Sequence, residues 1–270
     1  MPTPLGYNGN PKLRRAFTQI AMTQDQKDEY AKCYHDPVYF IKKYVKIVAL
    51  GRGIVPFDLY PFQEEMVHKF IKNRFIICKI PRQSGKSITT VAFLLHQILF
   101  KENYNIAVLA HKAPPAMNLL GRLKLAYENL PTWLQSGIIE WNKGNIELEN
   151  GSKIGAFATS ADGLRSGSYD IVLLDEFAFV PNNIAEQFFE STYPVITAGT
   201  ATKIIMISTP RGMNHFYTAW EKAKKGKSDY IPIEYHWSAV PGRDEKWKEQ
   251  TIRNTSAEQF QQEFETDFIG

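Results

Sequence analysis

The chain has 270 residues, 44% of them hydrophobic, with 32 basic and 28 acidic side chains and a formal net charge of +4. That size suits one large α/β domain with a small appended unit, and so slight a charge permits a local basic surface without proving a nucleic-acid partner. No run reaches the ~18 apolar residues of a membrane span, Met1 to Asn10 does not read as a signal peptide, and the two cysteines, Cys33 and Cys78, fit a reducing compartment. A soluble intracellular protein is expected.

Residues before about Phe57 and after about Trp237 show no α/β alternation. They are assigned jointly, as 1–56 and 238–270, to a small flanking subdomain around a core of 57–237. The core opens at Tyr60-Pro61-Phe62-Gln63, where Phe62, Met66, Val67 and Phe70 keep helical spacing. A glutamine amide can pair with the N7/N6 edge of adenine while an aromatic packs on the base, which would favour ATP over GTP. The alternative for Gln63 is a surface side chain in a first helical turn.

Next comes an apolar strand, Phe75 to Ile80, then Pro81-Arg82-Gln83-Ser84-Gly85-Lys86-Ser87 and a helical stretch to Phe100. Strand, loop and helix in this order form a phosphate-binding loop: backbone N–H groups at the helix start face phosphate oxygens, Lys86 reaches the β/γ-phosphates, and the Ser87 hydroxyl ligates Mg²⁺. The full pattern asks for glycine at position 80, where this chain has Ile80, and Arg82 stands inside the loop. Further strands are expected at Asn105 to Ala110, Ile171 to Leu174, Lys203 to Ser208 and Tyr230 to Trp237. Helices are expected at Pro115 to Asn129, Ile184 to Ser191 and Asn214 to Lys225. This alternation means parallel strands with crossover helices. Between them, Ile138 to Trp141, Asn145 to Glu149 and Lys153 to Ala158 read as a β-meander at a sheet edge, with Asn150-Gly151 as a two-residue hairpin turn.

The strand Ile171-Val172-Leu173-Leu174 is apolar throughout, as a strand buried on both faces should be, and ends in Asp175-Glu176. In a parallel sheet the carboxyl ends of strands converge on the ligand, so the loop and the acid pair can meet one Mg-nucleotide. Asp175 would hold Mg²⁺ and Glu176 would orient and deprotonate the attacking water. Arg165, in Gly163-Leu164-Arg165-Ser166-Gly167, could reach a neighbouring subunit's γ-phosphate or be an ordinary surface arginine. The six histidines, His111 among them, are scattered, and no Cys/His spacing resembles a zinc site. Lysines cluster at Lys42, Lys43 and Lys46 and at Lys222, Lys224, Lys225 and Lys227; a solvated helix face is the default for each cluster and a DNA contact the alternative.

Taken together these segments resemble the large terminase subunit of T-even-like tailed bacteriophages, the ATPase motor of DNA packaging. The likeness is carried by Tyr60 to Gln63 (Q motif), Pro81 to Ser87 (an arginine-containing Walker A), Leu109 to Lys112, Gly137 to Gly155, the Asp175-Glu176 Walker B pair and Ser208-Thr209-Pro210 (coupling motif). It implies a P-loop NTPase of the ASCE/RecA-like kind, with a mostly parallel sheet and a lid formed by the flanking subdomain. It further implies that Arg82 contacts the γ-phosphate in cis, that Glu176 is the catalytic carboxylate and that Thr209 helps couple hydrolysis to subdomain movement. A position like that of Arg165 resembles a trans-acting finger in ring-forming terminases. The implied cofactors are ATP and Mg²⁺. The implied partners are double-stranded DNA, the portal protein of the procapsid, the small terminase subunit and other copies in a ring on the portal, in the host cytoplasm and without a membrane. Such enzymes normally continue into a nuclease domain, which is expected to be absent from this chain; Glu263, Glu265 and Asp267 read as a solvated face. Two other readings are a superfamily 2-like helicase, which would need a second RecA-like domain, and a non-hydrolysing nucleotide-binding scaffold, which the complete set Lys86, Ser87, Asp175 and Glu176 disfavours.

Overall fold

The computed structural model describes residues 6–160, 164 and 167–270. In chain order its elements are α1 (Gln24–His35), α2 (Pro37–Tyr44), β1 (Lys46–Ala49), β2 (Gly53–Pro56), α3 (Pro61–Lys72), β3 (Phe75–Lys79), α4 (Lys86–Phe100), β4 (Asn105–Ala110) and α5 (Ala113–Glu128). Then follow β5 (Ile138–Trp141), β6 (Asn145–Leu148), β7 (Lys153–Ala158), β8 (Ile171–Asp175), α6 (Asn182–Gln187), α7 (Tyr193–Thr197), β9 (Lys203–Ser208), α8 (His215–Lys224), β10 (Ile231–Glu234), α9 (Glu245–Asn254) and α10 (Ala257–Glu263).

Eight strands form one sheet in the order β10-β3-β9-β8-β4-β7-β6-β5. From β10 to β7 every pairing is parallel. The last two are antiparallel, so the expected meander does sit at the edge. The central strands are apolar on both sides because both sheet faces are covered. One face packs Ile76, Val108, Leu173 and Ile207 with α4, α5 and the N-terminal helices. The other packs Ile77, Leu109, Leu174 and Met206 under Phe177, Phe188 and Trp220.

The two chain ends fold into helices that apolar alternation did not announce. Local polar signals start them: Thr23 caps α1 in a capping box with Gln26, Asp36 caps α2, and Asp244 and Ser256 cap α9 and α10. Cys33, Phe40 and Ile41 of α1 and α2 join the core beneath α4. There His96 Nε2 meets the Cys33 carbonyl at 2.8 Å, and burial lowers the imidazole to about 4. Trp237, Phe260 and Phe264 make a separate small cluster at the other end. At Glu263 to Thr266 the chain comes back to β3 and the loop after it. Lys79, nearly buried, donates to the Thr266 carbonyl at 2.9 Å, pairs with Glu234 at 2.6 Å and lies over the Trp220 ring.

Candidate active site

Four strands deliver the site. β3 leads into Ile80 to Gly85, β8 ends in Asp175, β9 runs into Ser208-Thr209, and β4 ends at Ala110. All are parallel, so their carboxyl ends lie along one edge of the sheet, where loops and helix N-termini converge.

The β3–α4 loop is held closed by its own atoms and its neighbours. The Ser84 hydroxyl donates to the Pro81 carbonyl at 2.7 Å, and the Ile80 N–H donates to the Ser208 carbonyl at 3.2 Å. Gly85 caps α4 with φ +75°, and a Cβ there would stand 2.6 Å from Gln63 Nε2. Only glycine satisfies both constraints. Gln63 is buried: its Oε1 accepts from the Tyr60 N–H at 2.9 Å and its Nε2 donates to the Ser84 carbonyl at 3.0 Å. It is therefore not the surface glutamine of the alternative reading. It ties the start of α3 to the phosphate loop.

Lys86 opens α4 with its side chain nearly buried, and its Nζ lies 3.0 Å from Glu176 Oε1. The Ser87 hydroxyl donates to Asp175 Oδ1 at 3.3 Å. Asp175 is pushed up to about 7, first by burial and then by the charge of Glu176, with Lys86 and Ser87 pulling the other way. Glu176 takes a left-handed conformation, φ +47°, which turns the chain sharply out of β8. Its second oxygen, Oε2, accepts from the Thr209 N–H and hydroxyl, each at 3.4 Å, and from the Ser208 hydroxyl at 3.3 Å. One carboxylate thus joins the phosphate-loop lysine to the segment after β9. Pro210 follows Thr209 in that segment.

These oxygens suit a divalent cation. Ser87 and Asp175 are hard donors, and a cation would relieve the cost of an ionised, buried Asp175. No group of three or more His, Cys, Asp or Glu side chains that could hold a metal is present among the described residues. An ion here would complete its shell with phosphate and water oxygens, the usual arrangement for Mg²⁺.

Arg82 is placed differently from the expected γ-phosphate contact. Its guanidinium meets Glu263 Oε1 at 2.6 Å, its N–H donates to the Glu263 carbonyl at 2.8 Å, and the side chain is 55% exposed. From the same C-terminal segment, Arg243 Nη2 donates to the carbonyls of Arg82 and Gln83 at 3.0 and 2.9 Å and stacks over Trp247 and Phe264. Neither Arg243 nor the role of Glu263 was visible in the sequence, because their partners lie over 150 residues upstream. Glu263 is therefore not a solvated acid, and Glu265 pairs with Lys248 at 2.7 Å. Arg165 lies outside the described residues. The lysine clusters are largely neutralised in place: Lys42 pairs with Glu64, Lys43 with Glu29, Lys224 with Glu234 and Lys225 with Glu221.

Beside Glu176 opens a cavity of about 240 Å³ lined by Arg82, His111, Asp175, Glu176, Phe179 and Thr209. Ala110 and Pro115 complete the lining, and of all these residues only Arg82, Asp175, Glu176 and Thr209 carried a chemical role in the sequence. A larger cavity of about 580 Å³, between α6 and α8, contains none of the phosphate-loop residues.

A phosphate loop at the start of α4, an Asp-Glu pair at the end of β8 with its aspartate buried, and a parallel sheet between flanking helices define a P-loop NTPase fold. The family described as the terminase large subunit, T4likevirus-type, N-terminal, matches residues 77–270, and the chain belongs to that family. The large terminase subunit of Thermus phage G20c is 24% identical over 235 residues, which cover 75% of this chain and 47% of the relative. The chain spans about half the length of the curated relatives it matches. Among solved structures, the large terminase ATPase domain of Thermus phage P74-26 superposes with a TM-score of 0.65 at 20% identity, covering 79% of this chain and 95% of that one. The large terminase of bacteriophage HK97 gives 0.69 at 20% identity, covering 86% and 54%.

Proposed function

We propose that this chain binds Mg-ATP and hydrolyses it, and that in the intact protein hydrolysis drives double-stranded DNA into a procapsid. The observation that carries the proposal is the position of Glu176, bonded through one oxygen to Lys86 and through the other to Thr209. A water held by Glu176 next to a phosphate held by Lys86 stands in the geometry of hydrolysis. Its oxygen attacks the γ-phosphorus, its proton passes to Glu176, and the bond to the β-phosphate oxygen breaks to leave ADP and phosphate. Ser87 and Asp175 would hold the Mg²⁺, which when bound neutralises charge on the phosphate oxygens. The links from Glu176 to Ser208 and Thr209 give loss of the γ-phosphate a direct route to the segment after β9.

In this proposal Gln63 and Tyr60 stand at the adenine side of the site, with Pro81 to Ser87 around the phosphates. The C-terminal helices serve as the lid: Glu263 and Arg243 already hold Arg82 and the loop carbonyls, and release of Arg82 brings it to the γ-phosphate. Arg165 is assigned to a neighbour's site in a ring on the portal, with the small terminase subunit as a further partner and the host cytoplasm as the compartment. The test is phosphate release with Mg-ATP, alone and with portal-bearing procapsids and DNA, beside a duplex-unwinding assay. Turnover that needs Glu176 and rises with procapsids supports the motor. Unwinding without stimulation by procapsids would favour a helicase, and no turnover under any condition would remove the reading.

A further inference from the structure

His111 follows directly on the last residue of β4, and its place there has a chemical consequence. β4 and β8 pair in parallel with Leu109 beside Leu174. That pairing is the last of the two strands, and His111 and Glu176 each stand two residues beyond it, at the sheet edge where the phosphates are to be bound. The imidazole lines the 240 Å³ cavity together with Arg82, Asp175, Glu176 and Thr209. Its backbone position is fixed, because the carbonyl of the preceding Ala110 accepts from both the N–H and the hydroxyl of Thr159, at 2.7 and 3.0 Å. Its Nδ1 is buried and meets no hydrogen-bond partner among the described residues. A polar atom buried without a partner costs stability, roughly 1–3 kcal/mol, unless a water or a ligand completes it, and His111 is the histidine among such atoms that lines the site. His96, a histidine buried as a whole, makes the contrast, since both its ring nitrogens are paired within the core.

We propose that His111 is a catalytic residue that hydrogen-bonds the terminal phosphate of the bound nucleoside triphosphate, on the side where Glu176 holds the attacking water. This inference rests on the ATPase reading above and adds a contact to it. The cavity is lined by Glu176, which holds the attacking water in the proposed reaction, and not by Lys86, so in this proposal a group reaching into it meets the third phosphate. A diphosphate ends before that point. His111 therefore contributes to binding ATP and not ADP, and more to the transition state, where negative charge gathers on the same oxygens. It neither gains nor loses a proton over the reaction; Glu176 takes the water's proton.

The experiment compares the full chain with His111→Ala and His111→Asn, using displacement of a fluorescent nucleotide by ATPγS and by ADP, both with Mg²⁺, and turnover of ATP. In His111→Ala, ATPγS should bind about tenfold more weakly, ADP should change by less than about twofold, and kcat should fall on the order of 10²-fold. The asparagine variant, which keeps a short polar group, should recover part of each loss. Equal weakening of ATPγS and ADP with a lowered Tm would show a wall of the cavity and not a phosphate contact. Unchanged ATPγS affinity and unchanged kcat would also overturn the proposal. If the wild type binds ATPγS but does not turn it or ATP over, the ATPase reading falls while the difference between ATPγS and ADP still decides the contact. If the wild type binds neither nucleotide, both fall together.

Discussion

Lys86 Nζ lies 3.0 Å from Glu176 Oε1, so the lysine meant for the phosphates and the carboxylate meant for the water are paired with each other. The lysine is nearly buried and the glutamate about one-third exposed. A phosphate arriving at Lys86 must take over part of this contact, and in doing so it frees Glu176 for the water.

Glu176→Gln should therefore have opposite effects on binding and turnover. The base is lost, which should cost about 10²- to 10⁴-fold in kcat. Lys86 loses an anionic partner, so ATP should bind as tightly as in the wild type or tighter. Lys86→Ala should lower affinity and turnover together. Fluorescent-nucleotide titration beside phosphate release measures both. Near wild-type turnover in Glu176→Gln would remove Glu176 as the base.

The Arg82–Glu263 pair predicts that the C-terminal helix restrains the phosphate loop. The pair is largely solvated on the arginine side, so by itself it is worth no more than ~1 kcal/mol. Glu263→Gln should thus leave Tm nearly unchanged, yet release Arg82 and lower the KM for ATP by about two- to fivefold. Arg82→Ala should lower kcat. An unchanged KM in Glu263→Gln would mean that the pair plays no part in gating the site.

Asp175 sets a pH dependence. Its folded-state value, about 7, lies above the ordinary 3.8, so the folded chain binds a proton that the unfolded chain has lost. Its contribution is most favourable below pH 4 and is lost as pH rises toward 7. Asp175→Asn should accordingly raise Tm at pH 8 and hardly change it at pH 4, measured without divalent cation. Because Mg²⁺ needs the carboxylate ionised, wild-type Mg²⁺ affinity should rise between pH 6 and 8. A Tm difference between variant and wild type that is flat across this range would contradict the assignment.

Plasmid DNA incubated with the pure chain and Mg²⁺ or Mn²⁺ should stay intact. Glu265 is paired with Lys248, Glu263 with Arg82, and Gln261 Nε2 donates to Asp267 at 2.9 Å, so the tail acids are spread over separate partners. A two-metal site needs its carboxylates gathered around ions ~4 Å apart. Reproducible cleavage that disappears when these acids are changed would overturn this.

The central sheet was legible because its strands carry continuous apolar runs between turn signals; Asn105 to Ala110 and Lys203 to Ser208 end where the reading placed them. The acid pair and the phosphate loop were legible for the same reason, each sitting at the end of such a run. The helices at the chain ends were legible only in part, as a helical tail near Glu263 and a helix face at Lys42 and Lys43. α1 and α9 are polar along most of their length, and their signals are the capping residues Thr23 and Asp244 rather than a periodic stripe. What sequence could least reveal was long-range pairing. Arg82 carries a motif that points to a phosphate, and only the fold shows Glu263 beside it. Gln63 likewise read as a base-contacting or surface residue, and neither reading contained its bond to Ser84.

Gln63 leads to the last prediction, because its amide already serves the chain at both ends. Oε1 accepts from the Tyr60 N–H and Nε2 donates to the Ser84 carbonyl, which leaves one N–H and one lone pair for a nucleotide base. Gln63→Ala removes both ties and opens a gap next to Gly85, so stability should fall by roughly 1–3 kcal/mol. The loop it steadies is the one proposed to contact the phosphates of any nucleotide, and from that effect alone ATP and GTP should weaken by the same factor. If the spare N–H and lone pair read adenine, ATP should weaken more than GTP, and the preference between them should shrink. Gln63→Glu separates the two roles. It keeps the acceptor for Tyr60 but sets a carboxylate against the Ser84 carbonyl, so it should harm the loop at least as much as alanine does. Competition of ATP and GTP for a fluorescent nucleotide, with Tm measured on the same samples, gives both numbers. A shrunken preference with little loss of Tm assigns Gln63 to the base; equal weakening with a lowered Tm assigns it to the loop.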